Sequence, residues 1–278
     1  MSSGHAYSAE QESPLQLNKE LPSPSHASNT PEFLVGSHGP FLISIERDQE
    51  PKSLIQILDL REDTPAWSKV DIDLRGSFST AVSHPQQGII LLGQRGENSG
   101  NSISKQLVVS PDTGKVSVTD LPDFPEPVRN ATGITDGNLI YIVGGQSTES
   151  SSIFSNRVYS LDLEKSETGW TQGPALPATG RAHAPLAIHQ GQLYVFGGHS
   201  DDYTPPSLLH DAWAFSLPTG PWKSIADLPV HTSIESPHTF NVGHDYVFIP
   251  LGAHAVLAYH VITNRWTLRG LDTKHDAP

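Results

Sequence analysis

Apolar residues along this chain are gathered in short runs that end in glycine and return at a regular interval. The clearest run is Leu-Ile-Tyr-Ile-Val-Gly-Gly at residues 139–145, and a second, Leu-Tyr-Val-Phe-Gly-Gly, covers 193–198. Weaker copies end at Gly93 and Gly252, so the last glycines lie about fifty positions apart, an interval typical of β-propeller blades rather than of helical solenoids. Together with the apolar stretch at 41–45, the runs predict five blades, each built around one inner strand.

The segments between the runs contain Leu-Pro dipeptides and pairs of aromatic residues. Proline fixes φ and lacks an amide donor, so the Leu-Pro dipeptides belong in connections between strands. Two aromatic pairs have a spacing of seven residues around a turn, which predicts cross-strand ring contacts. These pairs are Tyr259 with Trp266 and Phe215 with Trp222, while Tyr159 and Trp170 lie eleven apart around a longer loop and the first unit carries Trp67. The second unit has no tryptophan.

The predicted fold class is all-β, with one β-propeller domain over residues 14–278. Residues 1–13 are rich in Ser, Glu and Gln and poor in apolar residues, which indicates a disordered tail. The chain offers no further apolar strand after Trp266, whereas the segment 32–35 precedes the first inner strand without an evident partner. We therefore expect this N-terminal strand to complete the last blade and close the ring, which removes an exposed sheet edge.

The combination of an apolar run, Gly-Gly, and then Tyr or Phe and Trp at set distances resembles the kelch-repeat family. The resemblance covers about residues 32–270 and is best at 139–170 and 193–222. It implies a kelch-type propeller whose central mouth is lined by the segment before each inner strand and the loop after it. Kelch propellers include interaction modules, oxidases, epimerases and natural-product cyclases, so the fold alone leaves the function open.

Several ionisable residues fall in the segments that the resemblance places at the mouth. Alignment on the turn glycines Gly137, Gly191 and Gly243 puts three of them at one matching position, eight residues earlier. These are Arg129, His183 and Glu235. Because imidazole titrates near neutral pH, we expect His183 to be the catalytic acid or base, with Glu235 orienting it or sharing the role.

The remaining candidates are expected to hold a substrate. Guanidinium groups suit bidentate binding of a carboxylate, although a structural salt bridge between blades is an equally open role for the arginines. The substrate-binding candidates are Arg129, Arg181, Arg75, Gln146, His199, His231 and His254. The chain has 14 histidines, and several of these are expected to be loop residues bonded to backbone.

Composition excludes several other classes. The net charge of −13 and the lack of a basic stripe argue against nucleic-acid binding. There is no trusted metal-ligand spacing and no glycine-rich phosphate loop, so no metal and no cofactor are expected. The copper oxidases of the kelch class rely on a cysteine-modified tyrosine, and this chain has no cysteine. A polar N-terminus and the lack of an 18-residue apolar run predict a cytoplasmic protein that does not span a membrane.

Three functions remain open at this point. The first is a cofactor-independent isomerase, epimerase or cyclase acting on a small organic molecule in the central pocket, with natural-product biosynthesis as one setting. The second is an interaction module whose arginine-lined mouth binds an acidic peptide or protein. The third is a glycan-binding lectin, which would need aromatic platforms that these loops largely lack.

Overall fold

A computed structural model describes residues 21–24, 33–46, 54–94, 102–150, 152–201, 208–229, 240–242, 245–251 and 255–270. These residues form a five-bladed β-propeller in which each blade is a four-stranded antiparallel sheet. The predicted tail at 1–13 lies outside the described residues. Among the described residues, no helix is long and apolar enough to cross a membrane.

Each sheet is formed by four strands taken in chain order. Blade 1 contains β1 (Phe33–His38), β2 (Phe41–Glu46), β3 (Ile55–Asp59) and β4 (Ser68–Val70). Blade 2 contains β5 (Ser77–His84), β6 (Gly88–Gln94), β7 (Ser102–Val109) and β8 (Val116–Leu121). Short strands β9 (Val128–Arg129) and β12 (Gln146–Ser147) form a two-stranded ladder beside blade 3.

The other three blades follow the same order. Blade 3 contains β10 (Thr132–Asp136), β11 (Leu139–Val143), β13 (Val158–Asp162) and β14 (Thr171–Gln172), with a 3-10 helix at Leu163–Thr168 before β14. Blade 4 contains β15 (Leu186–His189), β16 (Gln192–Phe196), β17 (Ala212–Ser216) and β18 (Trp222–Ile225). Blade 5 contains β19 (Phe240–Val242), β20 (Tyr246–Leu251), β21 (Ala255–His260) and β22 (Arg265–Gly270).

The first strands of successive blades lie side by side, β1 beside β5, β5 beside β10, β10 beside β15 and β15 beside β19, so they surround the centre. The apolar runs at 41–45, 139–145 and their copies are therefore the second strand of each blade, and their prediction as innermost strands is wrong. The sequence singles out β1 by its apolar start, whereas β5 (Ser-Phe-Ser-Thr-Ala-Val-Ser-His) and β10 (Thr-Gly-Ile-Thr-Asp) have no apolar run of their own.

The predicted closure of the ring is also wrong. The N-terminal strand β1 pairs with β2 along its whole length, from Phe33 opposite Glu46 to His38 opposite Phe41. Blade 5 obtains its outermost strand from β22, which pairs with β21 from Ala255 opposite Gly270 to His260 opposite Arg265. The short strand β19 supplies the first strand of that blade. Every later strand of blade 5 therefore lies one position further out than the sequence predicts.

Apolar side chains fill the seams, by which we mean the interfaces between neighbouring blades. Phe41 and Ile43 of blade 1 pack with Ile89 and Leu91 of blade 2 in one buried cluster. Corresponding clusters join blades 2 and 3, blades 3 and 4, and blades 4 and 5 within the described part of the chain. Burial of this apolar area is the main force that holds the blades together.

Four indoles, one each in blades 1, 3, 4 and 5, connect their blade to the backbone of the preceding linker. Each of these four indoles donates its Nε1–H to a backbone carbonyl 40 to 48 residues earlier. The bonds run from Trp67 to Pro22 (2.6 Å), Trp170 to Pro122 (2.9 Å), Trp222 to Pro174 (3.1 Å) and Trp266 to Ala226 (2.8 Å). These indoles are half-buried, and an indole N–H that leaves water needs such a partner, so the repeat in sequence reflects a repeated hydrogen bond.

Two of the predicted aromatic pairs are confirmed. Phe215 pairs with Trp222, with ring centroids 4.8 Å apart, and Tyr259 pairs with Trp266 at 4.9 Å. The third pair is different, because Tyr159 lies opposite Gln172 rather than Trp170. In blade 3, Phe124 stands between them, with ring centroids 5.1 Å from Tyr159 and 5.0 Å from Trp170.

Candidate functional site

A cluster of polar and aromatic side chains lies where the chain enters blades 3 and 4. We call it the mouth cluster: Arg129, Gln146, Phe154, His183 and His199. Arg129 donates from Nε to Oε1 of Gln146 at 2.8 Å, and the same two residues are paired in the β9–β12 ladder. The rings of His183 and His199 have centroids 5.1 Å apart, and the ring of Phe154 meets that of His199 edge-on at 5.7 Å. Four of the residues predicted for the site are thus brought together.

Backbone contacts hold this cluster in place. Gln146 forms a bridge with Phe154, and His199 forms bridges with both Ala182 and Leu208. The amide of His183 donates to the carbonyl of Asn130 at 3.1 Å, which ties the blade 4 segment to the blade 3 segment. Gln146 is buried, His183 and His199 are half-buried, and Arg129 is exposed, so the cluster runs from the interior to the surface.

Three residues with left-handed backbone mark the same place in successive blades. Arg75, Asn130 and His183 have φ of 50°, 57° and 51°, and each lies two or three residues before the first strand of its blade. Asparagine and histidine adopt this conformation more often than most residues with a side chain, but it still costs any non-glycine residue, and arginine most of these three, some strain. Strain of this kind is concentrated at functional sites, which favours the mouth cluster as one.

The register of the blades corrects the predicted alignment. Gly137 is the first residue of the turn between β10 and β11, because Asp136 pairs with Leu139; Gly191 is the second residue of its turn, between His189 and Gln192. Alignment on these glycines is therefore off by one residue. Asn130, not Arg129, corresponds to His183, and sequence reasoning missed Asn130 as a member of the site. The sequence signal for this position was an asparagine directly before Ala-Thr, because asparagine adopts φ above zero more readily than most residues.

Arg75 occupies the corresponding place in blade 2, at the same end of the propeller. Its side chain is exposed and lies 3.6 Å from the carboxylate of Asp73, whose Oδ1 also accepts the Arg75 backbone amide at 2.9 Å. Because the side chain is 84% exposed, this ion pair contributes little to stability. Arg75 is thus at the rim rather than within the cluster.

Arg181 does not face a ligand. Its side chain is fully buried, and it donates to the backbone carbonyls of Thr179 (3.1 Å) and Gly197 (2.9 Å). Two further bonds reach the carboxylate of Asp211, at 3.0 Å from Nη1 and 2.7 Å from Nη2. The substrate-binding role predicted for Arg181 is therefore wrong, and the structural salt bridge considered beside it is the one observed.

The Arg181–Asp211 pair acts as a clasp between blades 3 and 4. The carbonyl of Arg181 accepts the amide of Gly145 at the end of β11, while its guanidinium holds Asp211 at the start of β17. Burial raises the pKa of the Asp211 carboxyl, but hydrogen bonds from Arg181 and from the indole of Trp213 outweigh this and hold the pKa below its ordinary value.

A second clasp lies one blade earlier with its charges exchanged. Arg157 lies directly before β13, as Asp211 lies directly before β17. The two positions correspond because the amide of Gly144 donates to the carbonyl of Arg157 and the amide of Gly197 to the carbonyl of Asp211, both at 3.0 Å. The guanidinium of Arg157 pairs with the carboxylate of Glu126, which also accepts Ser155 Oγ. The two clasps fix the Gly-Gly ends of β11 and β16, and these ends carry Gln146 and His199 into the mouth.

Three predicted residues, Glu235, His231 and His254, lie outside the described residues. The structure therefore brings Arg129, Gln146, His183 and His199 together and places Arg75 at the rim. Arg181 lies in a buried ion pair and is not part of the site. The two imidazoles can accept one proton and donate another, and the guanidinium of Arg129, which joins the same cluster through Gln146, can bind an anionic group.

Comparison with known proteins supports the same picture. The family model of the KLHDC2/KLHL20/DRC7 Kelch-repeats domain matches residues 78–277. The N-acetylneuraminate epimerase of Salmonella arizonae is 30% identical over 109 residues, which are 38% of this chain and 27% of that protein. The protein of that name from Salmonella typhimurium is 29% identical over 128 residues, covering 44% and 32% of the two chains.

A third relative gives a similar result. N-acetylneuraminate epimerase 1 of Escherichia coli O6:H1 is 29% identical over 110 residues, 39% of this chain and 28% of that protein. The matched segments span less than a third of the length of these relatives.

Proposed function

The chain belongs to the kelch-repeat family, and from that premise we propose that it is a cofactor-independent epimerase of a sugar acid, with the mouth cluster as its active site. The observation that carries the proposal is the pair of half-buried imidazoles, His183 and His199, with ring centroids 5.1 Å apart. The amide of His183 donates to the carbonyl of Asn130, the residue that follows Arg129. The names of the relatives support an epimerase, and N-acetylneuraminate is the first substrate to test.

The chemistry required of such a site is two proton transfers. The hemiketal hydroxyl of the sugar acid loses its proton to a neutral imidazole while the ring C–O bond breaks. The ring oxygen then receives a proton from a second, protonated imidazole, and closure on the other face of the carbonyl reverses both steps. Histidine suits this exchange because its charge changes near neutral pH.

Substrate binding falls to the residues around the imidazoles. The guanidinium of Arg129, oriented by its bond to Gln146, is suited to the substrate carboxylate. The edge of Phe154 stands against His199 and limits the positions that its ring can take. Holding the sugar acid at the anion while the protons move is the positioning that this type of catalysis needs.

The test is exchange spectroscopy by NMR on the two ring forms of N-acetylneuraminate, with and without the protein. We expect His183→Ala and His199→Ala each to lower the exchange rate by a factor of about 10²–10⁴, the usual contribution of a general acid or base. Arg129→Gln should raise KM more than it lowers kcat. His260→Ala, in the hairpin of β21 and β22, is the matched histidine control and should leave the rate unchanged.

Two results would contradict the proposal. Wild-type protein that does not accelerate the interconversion would exclude this substrate and reaction. Full activity in both mouth histidine variants would move the active site elsewhere. The cyclase reaction and the cytoplasmic location stay predictions from the sequence.

A second function is favoured by one observation, the two exposed arginines at the mouth of a chain whose net charge is −13. Arg75 and Arg129 would attract the carboxylates of an acidic peptide. Titration calorimetry with a glutamate-rich peptide, at low and high salt, tests this: binding should weaken in the Arg75→Gln, Arg129→Gln double variant and should not depend on His183. Equal affinity in the double variant would exclude an arginine-lined peptide site.

A further inference from the structure

The seam between blades 1 and 2 differs from its neighbours in the residue that fills its outer edge. In blades 3, 4 and 5 a tryptophan packs against the seam with the preceding blade and donates Nε1–H to its linker. Blade 2 has no tryptophan in its sequence.

The register identifies the residue that stands at the tryptophan position in blade 2. In blades 2, 4 and 5, the second residue of the second strand heads a cross-strand row that crosses the third strand to the fourth. The rows are Leu193, Phe215 and Trp222 in blade 4; Val247, Tyr259 and Trp266 in blade 5; and Ile89, Leu107 and Val118 in blade 2. Val118 therefore replaces the indole, and it packs against the cluster shared by blades 1 and 2.

A cleft of about 850 Å³ opens in this seam. Its apolar floor is made by Ile57, Val70, Ile72 and Val116, all of which belong to the same cluster as Val118. Val118 does not itself line the cleft, but it packs against the same cluster as this floor, and a valine fills much less space than the indole at the corresponding position of the neighbouring seams.

We propose that this cleft binds a tryptophan side chain of a partner polypeptide, in the way that the chain's own indoles occupy the other seams. The precedent is internal: three seams of the same architecture each hold a half-buried indole that packs against an apolar cluster and donates to a linker carbonyl. The inference does not depend on the proposed epimerase activity, because the cleft lies at the outer edge and the mouth cluster at the blade entrances.

The size and rim of the cleft favour a peptide rather than an isolated ring. A volume of 850 Å³ is within the range of about 300–1,000 Å³ that accommodates a whole drug-sized ligand, and it exceeds what one indole needs. The rim carries charges of both signs, Lys69 and Lys115 beside Asp71 and Asp112, which suits the mixed polar neighbours of a tryptophan in a peptide. The strand β4 is the edge strand of blade 1 and can pair with an extended segment.

The probe is the capped hexapeptide Pro-Trp-Lys-Ser-Ile-Ala, which copies residues 221–226 and in the intact chain fills the seam of blades 3 and 4. Ligand-observed NMR with the full chain should give a Kd on the order of 1 mM or lower. The same peptide with alanine in place of tryptophan should bind at least about tenfold more weakly. No detectable binding of the tryptophan peptide, or equal binding of both peptides, overturns the proposal.

Two variants locate the site. Val118→Trp should fill the seam from within, raise Tm by about 2–4 °C and abolish peptide binding. Ser68→Trp, on the exposed strand β4, fills the cleft without touching the core and decides the matter if Val118→Trp does not fold. Peptide affinity that either folded variant leaves unchanged contradicts binding at this cleft.

A matched variant tests the principle in the opposite direction. Trp222→Val vacates the seam of blades 3 and 4 and breaks the bond to Pro174. We expect it to bind two peptides per chain where the wild type binds one. A stoichiometry of one would show that an absent indole does not by itself create a binding site, which removes the precedent for the proposal.

Discussion

Replacement of Arg181 by methionine is predicted to destabilise the propeller more than loss of any exposed charge. The guanidinium is completely buried and makes four hydrogen bonds, two to backbone carbonyls and two to the carboxylate of Asp211. Methionine fills most of the volume but supplies no donor. The carbonyl of Gly197 and the carboxylate are then left without their cationic partner.

The expected magnitude follows from what remains behind. Removal of one member of a buried ion pair costs about 3–5 kcal/mol, chiefly because it strands the other charge. The side chain of Asp211 is 33% exposed and can recover some hydration, so about 3 kcal/mol is expected for Arg181→Met. Asp211→Asn should cost about 4 kcal/mol, because it leaves the fully buried guanidinium without its counterion.

Urea unfolding followed by circular dichroism provides the measurement, and the double variant completes a mutant cycle. Because each single change strands a charge that the double change removes, the double variant should lose less than the sum of the two single losses, by about 2 kcal/mol. Unchanged m-values would confirm that the native state is affected rather than the compactness of the unfolded chain. A loss below about 1 kcal/mol for Arg181→Met would refute the clasp.

The clasp also has a defined pH dependence. The pKa of Asp211 is held below its ordinary value in the folded protein, so its contribution to stability is present above the unfolded pKa, about 3.9. This contribution is lost as the pH falls through the lower folded pKa. The difference in unfolding free energy between wild type and Asp211→Asn should therefore be constant near neutral pH and shrink below about pH 4. A difference that is as large at pH 2 as at pH 7 would contradict the assignment.

Two further predictions concern the backbone and a buried phenol. Gly144→Ala should destabilise the protein by about 3 kcal/mol or more, because at φ +70° its Cβ would lie 2.2 Å from the carbonyl oxygen of Arg181. Gly137→Ala is the control: at φ +55° with open space around it, it should cost only about 1–2 kcal/mol in thermal or urea unfolding. Equal losses would mean that the close approach is relieved by a small shift. Burial raises the pKa of Tyr259 to about 12, so its stabilisation is present below pH 10 and is lost as the pH rises toward 12. Tyr259→Phe should lose less stability over that interval. Its spectrophotometric titration should lack one tyrosine that ionises at high pH; the loss of a tyrosine that ionises at lower pH instead would contradict the burial.

The repeated architecture could be predicted from sequence because it depends on features that are themselves repeated. The apolar runs and the Leu-Pro linkers recur in most blades, and the aromatic spacing of Phe215 with Trp222 recurs in one other; the blade number follows from the runs. The order of strands within a blade did not follow. First strands such as β10 are packed by neighbouring blades on both sides, and their short, polar sequences carry no strong period of their own.

The site was predictable as a region but not residue by residue. Segments before the first strands do supply His183 and Arg129, and the loops after the second strands supply Gln146 and His199. The alignment failed because equivalent turns place glycine at either of two positions, which only the pairing of Asp136 with Leu139 reveals. The offset of one residue assigned Arg129 instead of Asn130 to the left-handed position that His183 occupies in the next blade.

The consecutive residues Arg181, Ala182 and His183 show why that offset decides function. Arg181 is buried in the clasp, Ala182 exchanges both backbone hydrogen bonds with His199, at 2.9 and 3.0 Å, and His183 turns its ring toward the same His199 in a left-handed conformation. Arg181 fixes the end of β16. Ala182 forms its two-bond ladder with the segment that follows this end, and His183 is positioned by both neighbours. The ionisable character of Arg181 is therefore architectural, whereas that of His183, two residues later, is available for chemistry. If the proposed reaction is correct, loss of the clasp should lower the epimerisation rate even under conditions where Arg181→Met remains folded, because His199 would no longer be held opposite its partner.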